Sequence, residues 1–141
     1  MSKAVKIERT FQQEADDAGE RCYGSCLEEL DALKQAQEAD DSSAEEDART
    51  TIQEGPLSVE VRSDWASPGS EDVSAKGGQF CILLGTGGPA SRIIGDLDDY
   101  CQPKNAHFEF QDWFKPWTRA NLTGEQEAVL LAWSQNFYFG D

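Results

Sequence analysis

The sequence has few basic residues, one histidine and little that could bind an anionic polymer. Only 12 Lys and Arg stand against 27 Asp and Glu, so the formal net charge of the 141 residues is -15. Because affinity for phosphates comes from Lys and Arg, this balance argues against direct nucleic-acid binding. It also disfavours binding to an anionic membrane surface.

Long apolar runs are absent as well. No stretch of 18 apolar residues occurs, which predicts no membrane span. The first 14 residues hold three bases but no apolar segment of the kind a secretory signal requires. We therefore expect a cytoplasmic protein, acting in a host cell, with four reduced cysteines. These are Cys22, Cys26, Cys81 and Cys101.

Two parts of the chain differ in composition. Residues 1–54 lack Trp and Pro and hold 15 acids and 6 bases, a net of -9, whereas residues 55–141 hold 12 acids and 6 bases, a net of -6. The first composition favours helices, and the second, with every proline and tryptophan, favours strands and turns. We predict an acidic helical region at 1–54 and an antiparallel sheet with a C-terminal helix at 55–141, together in one compact domain.

Three helices are predicted in the first part. One ends at Gly24; a capping box at Ser25 and Glu28 begins a second that runs to about Ala39. A third starts at a capping box on Ser42 or Ser43 and ends before Gly55. The first apolar stripe comprises Ile7, Phe11, Ala15, Ala18 and Cys22, and the second helix would bury Leu27, Leu30 and Leu33.

Alternation and short apolar runs predict four strands in the second part, at about 57–62, 80–84, 91–97 and 106–111, with a loop at 63–79. Short connections favour antiparallel pairing in a meander. A last helix begins at Thr123, which forms a capping box with Gln126. The predicted fold class is α+β: N-terminal helices, a four-stranded antiparallel sheet and a C-terminal helix.

Each possible chemical site has a simpler alternative. The four cysteines could form a zinc site, but only Cys22 and Cys26 are close in sequence, and buried free thiols are commoner. Residues 85–89 lack the Lys and the following helix of a phosphate loop, so a hairpin turn is favoured. His107 with Cys81 or Cys101 lacks any nucleophile motif. We expect no cofactor, no metal and no enzymatic activity.

Acidic residues form the strongest signal. Residues 38–49 hold six acids and one base, a net of -5. Such a run is either a solvated linker or a negative surface aimed at a basic partner. A second, shorter run at 96–99 lacks the pattern of an EF-hand, so a solvated loop is favoured over a weak site for a divalent cation.

Large aromatic residues cluster around Pro116. Trp113, Phe114 and Trp117 cannot all alternate into one core face, so they form either an exposed partner site or a lid over the sheet.

Residues 57–141 resemble a family of small acidic proteins encoded by phages and mobile elements. The segments that carry the resemblance are 57–63, 87–97, 111–118 and 137–140. The resemblance implies a genetic setting in which small acidic proteins resemble anti-CRISPR or antirestriction inhibitors, several of which imitate DNA. The acidic helices lie outside the matching segments.

The sequence thus predicts a phage-encoded, anti-CRISPR-like inhibitor of a host defence nucleoprotein complex. Its partner would be a basic nucleic-acid-binding protein, such as a CRISPR effector or a restriction enzyme, and the inhibitor would be a monomer or a homodimer. Alternatives are an adaptor that uses the aromatic segment, or a cysteine-based metal protein. The predicted partner-binding residues are Glu38, Asp40, Asp41, Glu45, Glu46, Asp47, Asp96, Asp98, Asp99, Trp113, Phe114 and Trp117.

Overall fold

A computed structural model describes residues 10–62, 78–86, 89–112 and 115–139. The predicted loop at 63–79 falls almost wholly outside these residues, as does Ile7. The elements are α1 (Phe11–Glu38), α2 (Ser42–Glu54), β1 (Ser58–Arg62), β2 (Gln79–Gly85), β3 (Ala90–Asp96), β4 (His107–Gln111), β5 (Thr118–Arg119) and α3 (Gly124–Ser134).

The strands form one antiparallel sheet in the order β1-β2-β3-β4-β5. This confirms the α+β class, with helices before and after an antiparallel meander. The predicted strand count of four was wrong, because the two-residue β5 also joins the sheet, with Thr118 opposite Phe110. A two-residue strand is too short to produce an alternating pattern, so the sequence carries no periodic signal for it.

The break predicted at Gly24 was wrong, since α1 runs without interruption from Phe11 to Glu38. A glycine inside a helix costs about 1 kcal/mol relative to alanine. Buried residues continue at helical spacing on both sides of Gly24, and their packing offsets that cost. The buried positions of α1 are Ala15, Ala18, Gly19, Cys26, Leu33 and Ala36. No helix in the described ranges has the length and apolar character needed to cross a membrane.

Side chains cap the N-termini of α2 and α3, and the cap predicted for α3 is confirmed whereas the one predicted for α2 was wrong. Thr123 and Gln126 form the predicted capping box of α3. The predicted start of the next helix at Ser42 or Ser43 was wrong, because Asp41 is the N-cap of α2 and its side chain accepts a hydrogen bond from the Ala44 backbone N–H. Gly55 ends α2 as predicted.

The core lies on one face of the sheet. Phe80, Ile82, Ile93 and Phe108 share that face and are buried. Helices α1 and α3 pack against β4, and α1 also packs against β5.

The opposite edge of the sheet is less covered. Val59 and Val61 face the same side as the core strands, because they pair with Ile82 and Phe80. They remain 36% and 45% exposed, so β1 buries its apolar side chains much less than β2, β3 and β4 do. The helices that cover the sheet pack over its β4 and β5 side, away from β1.

The absence of a side chain at Gly19 lets α1 approach the residues that follow β5. A Cβ atom on Gly19 would lie 2.6 Å from the Cβ of Ala120. The position of α1 on the sheet therefore depends on this glycine, whereas a Cβ on Gly24 would meet nothing within 4 Å.

These two glycines of one helix provide a matched test. We expect Gly19→Ala to lower the free energy of unfolding by about 1–3 kcal/mol, because α1 must shift away from Ala120. Gly24→Ala should raise it by about 0.5–1 kcal/mol through helix propensity alone. Urea unfolding of both variants measures the difference. Equal effects of the two substitutions would show that α1 does not pack closely at Gly19.

Candidate partner-binding surface

The acidic run is built into a helical hairpin formed by α1 and α2. The Asp41 N–H bonds to the Ala36 carbonyl and the Asp40 N–H to the Gln37 carbonyl, which is the Schellman pattern at a helix end. Asp40 itself has φ 55, in the left-handed region where glycine is usual. The chain then turns directly into α2. Residues 38–47 therefore form the tip of the hairpin, which we call the acidic tip.

Two of the six predicted acids at the acidic tip serve the fold. Asp41 caps α2 through the Ala44 N–H. Glu45 is half-buried and accepts from Arg49 at 3.3 Å and from Gln37 at 3.4 Å. Removing either carboxylate would therefore disturb the hairpin as well as its charge.

The remaining four acids, Glu38, Asp40, Glu46 and Asp47, are exposed. Glu46 and Asp47 lie near the start of α2, where a helix dipole favours negative charge. Glu38 is in the last turn of α1, and Asp40 follows that turn; the dipole disfavours negative charge there, and no base occupies that turn. The fold thus explains part of the acidic tip, and the left-handed backbone at position 40 tolerates Asp, but the dipole disfavours the negative charge at both position 38 and position 40.

Further acids on α1 extend the negative surface beyond the acidic tip. Asp17 and Asp31 are exposed and, with Glu38, stand at intervals of 14 and 7 residues. Asp17 and Glu38 are separated by about 32 Å along the helix axis, from a rise of about 1.5 Å per residue. Residues 10–54 hold 14 acids and three bases, a net of -11. These acids were not among the predicted partner-binding residues, although the seven-residue interval between Asp31 and Glu38 is visible in the sequence.

The second acidic run, at 96–99, is largely committed to local structure. The Asp96 side chain accepts from Asn105 at 3.0 Å, and this hydrogen bond is the main cause that lowers the pKa of Asp96. The Asp98 side chain accepts from the backbone N–H groups of Tyr100 and Gln102. Asp99 is exposed. Asp96 and Asp98, two of the three acids predicted here to bind a partner, thus form hydrogen bonds that stabilise the loop after β3.

Of the aromatic segment, Trp113 and Phe114 lie outside the described residues. Trp117 is half-buried, and the Arg92 guanidinium stacks on its ring at 4.0 Å from the centroid. Trp117 thus lies against the face of the sheet opposite the core, which we call the open face. This is the position predicted for a lid over the sheet.

An ion pair connects β3 and β4 on that open face. The Arg92 guanidinium contacts the Glu109 carboxylate at 2.6 Å, and His107 Nε2 lies 3.4 Å from the same carboxylate. The sequence alternation placed His107 and Glu109 on one face, but the register that brings Arg92 opposite Glu109 was not predictable from it. Because Glu109 already neutralises Arg92, this cluster is a poor anion site.

The geometry does not favour a thiol–histidine pair. In the register, Ile94 lies between Cys81 and His107, so the two are separated by two strand spacings, about 10 Å. Burial raises the pKa of the Cys81 thiol, so this thiol is not activated as a nucleophile. Cys101 is buried, and all four cysteines are unpaired as disulfides.

The element that follows residues 85–89 is not the one that a phosphate loop requires. Gly87 and Gly88 lie outside the described residues, but Ala90 begins β3 directly after Pro89. The helix N-terminus that a phosphate loop requires is therefore replaced by a strand. The connection joins two antiparallel neighbours, as a hairpin turn does.

Comparison of the chain with models of protein families, with curated proteins and with solved structures finds no match in any of the three.

Asp40 can be tested apart from any partner. We expect Asp40→Gly to raise the free energy of unfolding by about 1 kcal/mol, because glycine accepts the left-handed conformation and the negative charge at the end of α1 is removed. Asp40→Ala removes the same charge but keeps the strained backbone, and it should be no more stable than the wild-type protein. Thermal or urea unfolding measures both. A loss of stability in Asp40→Gly would mean that the Asp40 side chain supports the hairpin.

Proposed function

We propose that this protein is a phage-encoded, anti-CRISPR-like inhibitor of a host defence nucleoprotein complex. Its acidic hairpin would occupy the basic channel in which that complex holds nucleic acid. The partner is then a basic nucleic-acid-binding protein, such as a CRISPR effector or a restriction enzyme. The protein itself acts without catalysis and without direct contact to nucleic acid.

The observation that carries the proposal is the placement of Glu38 and Asp40. Both are exposed at the negative end of the α1 dipole, where each costs stability instead of adding to it. A carboxylate that the fold disfavours is explained if it serves a contact outside the fold. Residues 10–54 carry a net charge of -11, and the repulsion among these charges also costs stability. The whole hairpin is therefore explained in the same way, by a contact outside the fold.

Charge density supports imitation of a nucleic acid. DNA presents one charge per about 3.4 Å along each strand. A helix rises about 1.5 Å per residue, so carboxylates two or three residues apart are separated by about 3–4.5 Å along the helix axis, on different sides of the helix. Asp40, Glu46 and Asp47 add charges around the tip that a single helix could not present. The resulting field would speed association with a basic channel and weaken as salt is added.

Two variants of equal net charge test the proposal. The tip variant carries Glu38→Gln, Asp40→Asn and Glu46→Gln. These substitutions keep the size of each side chain, and Asn, like Asp, tolerates the left-handed backbone conformation of position 40. The control variant carries Glu60→Gln, Glu125→Gln and Glu127→Gln, all outside the acidic hairpin; of these, Glu127 forms an ion pair with Arg119 at the surface. Each variant has a formal charge of -12.

Displacement of labelled DNA from a panel of purified CRISPR effectors and restriction enzymes is the measurement. We expect the wild-type protein and the control variant to displace DNA from one panel member at similar concentrations. The tip variant should need about tenfold more, since three lost charge contacts of roughly 0.5–1 kcal/mol each suffice for that change.

Three results would contradict the proposal: equal potency of all three proteins, equal loss in both variants, or no displacement from any panel member. The second would mean that net charge alone, and not the acidic tip, determines inhibition. Circular dichroism of each variant shows that the fold is retained.

A further inference from the structure

A cavity between α1, α3 and the sheet plays no part in the proposed function. Its volume is about 430 Å³, whereas about 150 Å³ is enough for an apolar cavity to bind benzene, so it has room for a ligand of two rings. Apolar side chains from all three parts of the fold form most of its lining. They include Ala18, Cys22, Cys26, Leu84, Phe108, Phe110 and Trp133.

Two charged side chains also line the cavity, and they differ in burial. Glu29 is half-buried, and one of its carboxylate oxygens accepts a hydrogen bond from Trp133 Nε1 at 2.7 Å. Arg21 is exposed and precedes Glu29 by eight positions, which is about 12 Å along the helix axis. Because salt screens exposed charges over about 8–10 Å, the charge of Arg21 has little effect at the Glu29 end of the cavity.

The Glu29 carboxylate has no basic counter-charge in the part of the chain that the structure describes. The ion pairs found there join other residues, and the Trp133 indole is a neutral donor. Residues 10–54, to which Glu29 belongs, carry a net charge of -11. A half-buried carboxylate in such a negative field favours a cation beside it and repels an anion.

The thiols of the lining do not add to this negative charge. The Sγ atoms of Cys22 and Cys26 are 4.0 Å apart and share a hydrogen bond. That hydrogen bond, followed by burial, raises the pKa of the Cys26 thiol, which is therefore protonated at neutral pH. Among the described residues that line the cavity, Glu29 is the only carboxylate.

We propose that this cavity binds a small organic cation, a primary amine attached to an aromatic body of one or two rings. The ammonium group donates to the Glu29 oxygen that Trp133 does not use, and the rings lie against the apolar lining around Leu84 and Phe110. Aromatic side chains of the lining add attraction for a cation near their ring faces. This inference does not rest on the inhibitory function.

Tryptamine and indole-3-propionate are the probes, because they share a ring system and a two-carbon chain but carry opposite charges at neutral pH. Each is titrated into the isotope-labelled full chain, and amide shifts in NMR spectra report both affinity and location. We expect tryptamine to shift the amides of lining residues such as Ser25 and Ser91. It should bind at least tenfold more tightly than indole-3-propionate.

Two neighbouring substitutions on α1 separate the site from the general field. Glu29→Gln keeps the size of the side chain and an oxygen for the Trp133 N–H, but it should weaken tryptamine binding about tenfold through loss of a charge-assisted hydrogen bond. Glu28→Gln removes the same charge from an exposed residue outside the lining. It should bind tryptamine within about twofold of the wild-type protein, as loss of a screened surface charge implies.

A third variant tests the cavity itself. Ser91→Leu places a larger apolar side chain in the lining without a change of charge, and it should abolish tryptamine binding. Circular dichroism shows that each variant is folded; if Glu29→Gln unfolds, the two probes and Ser91→Leu still decide the question. Four results would overturn the proposal: no tryptamine shifts at lining residues, equal affinity for both probes, equal effects of Glu28→Gln and Glu29→Gln, or undiminished binding by folded Ser91→Leu.

Discussion

The position of the acidic hairpin depends on the packing of its first helix, α1, whose buried side lies against the sheet and α3. Gly19 allows the closest approach, at Ala120, and Cys26 and Leu33 continue the buried side toward the hairpin. One turn beyond Cys26, the Glu29 carboxylate accepts a hydrogen bond from the Trp133 indole, which ties α1 to α3. Helix α2 packs on α1, so its position follows from that of α1.

The charges of the hairpin divide according to what the fold requires. Asp41 and Glu45 form hydrogen bonds that define the turn and the first turns of α2. Glu38 and Asp40 lie where the α1 dipole disfavours negative charge, and Asp40 also adopts the left-handed backbone conformation that glycine favours. Stability and charge therefore oppose each other at the acidic tip, and the proposed function accounts for that opposition.

Much of the architecture could be predicted from the sequence because its signals are periodic or local. The alternation around Phe108 identified β4, and Thr123 with Gln126 identified the start of α3. The continuity of α1 through Gly24 was not predictable, because packing against distant residues outweighs a local helix breaker. The two-residue β5 depends wholly on its partner β4 and leaves no pattern of its own.

The candidate surface was predictable in part. Composition identified the acidic run, but only the structure separates Asp41 and Glu45 from the four acids without a comparable hydrogen-bonding role in the hairpin. Such a division depends on which backbone N–H groups and side chains come within hydrogen-bond distance after folding. The same holds for the Cys22 and Cys26 thiols, which are close in the sequence and line one cavity in the structure.

We propose that the acidic hairpin takes the place of nucleic acid on a basic partner. Capture of proteins from a host lysate on the tagged full chain, followed by elution with salt or with competing DNA, tests it most directly. We expect a nucleic-acid-handling complex to be retained at low salt and released by either eluant. A partner that both salt and DNA leave in place would contradict imitation of nucleic acid and would favour the aromatic segment as the binding surface.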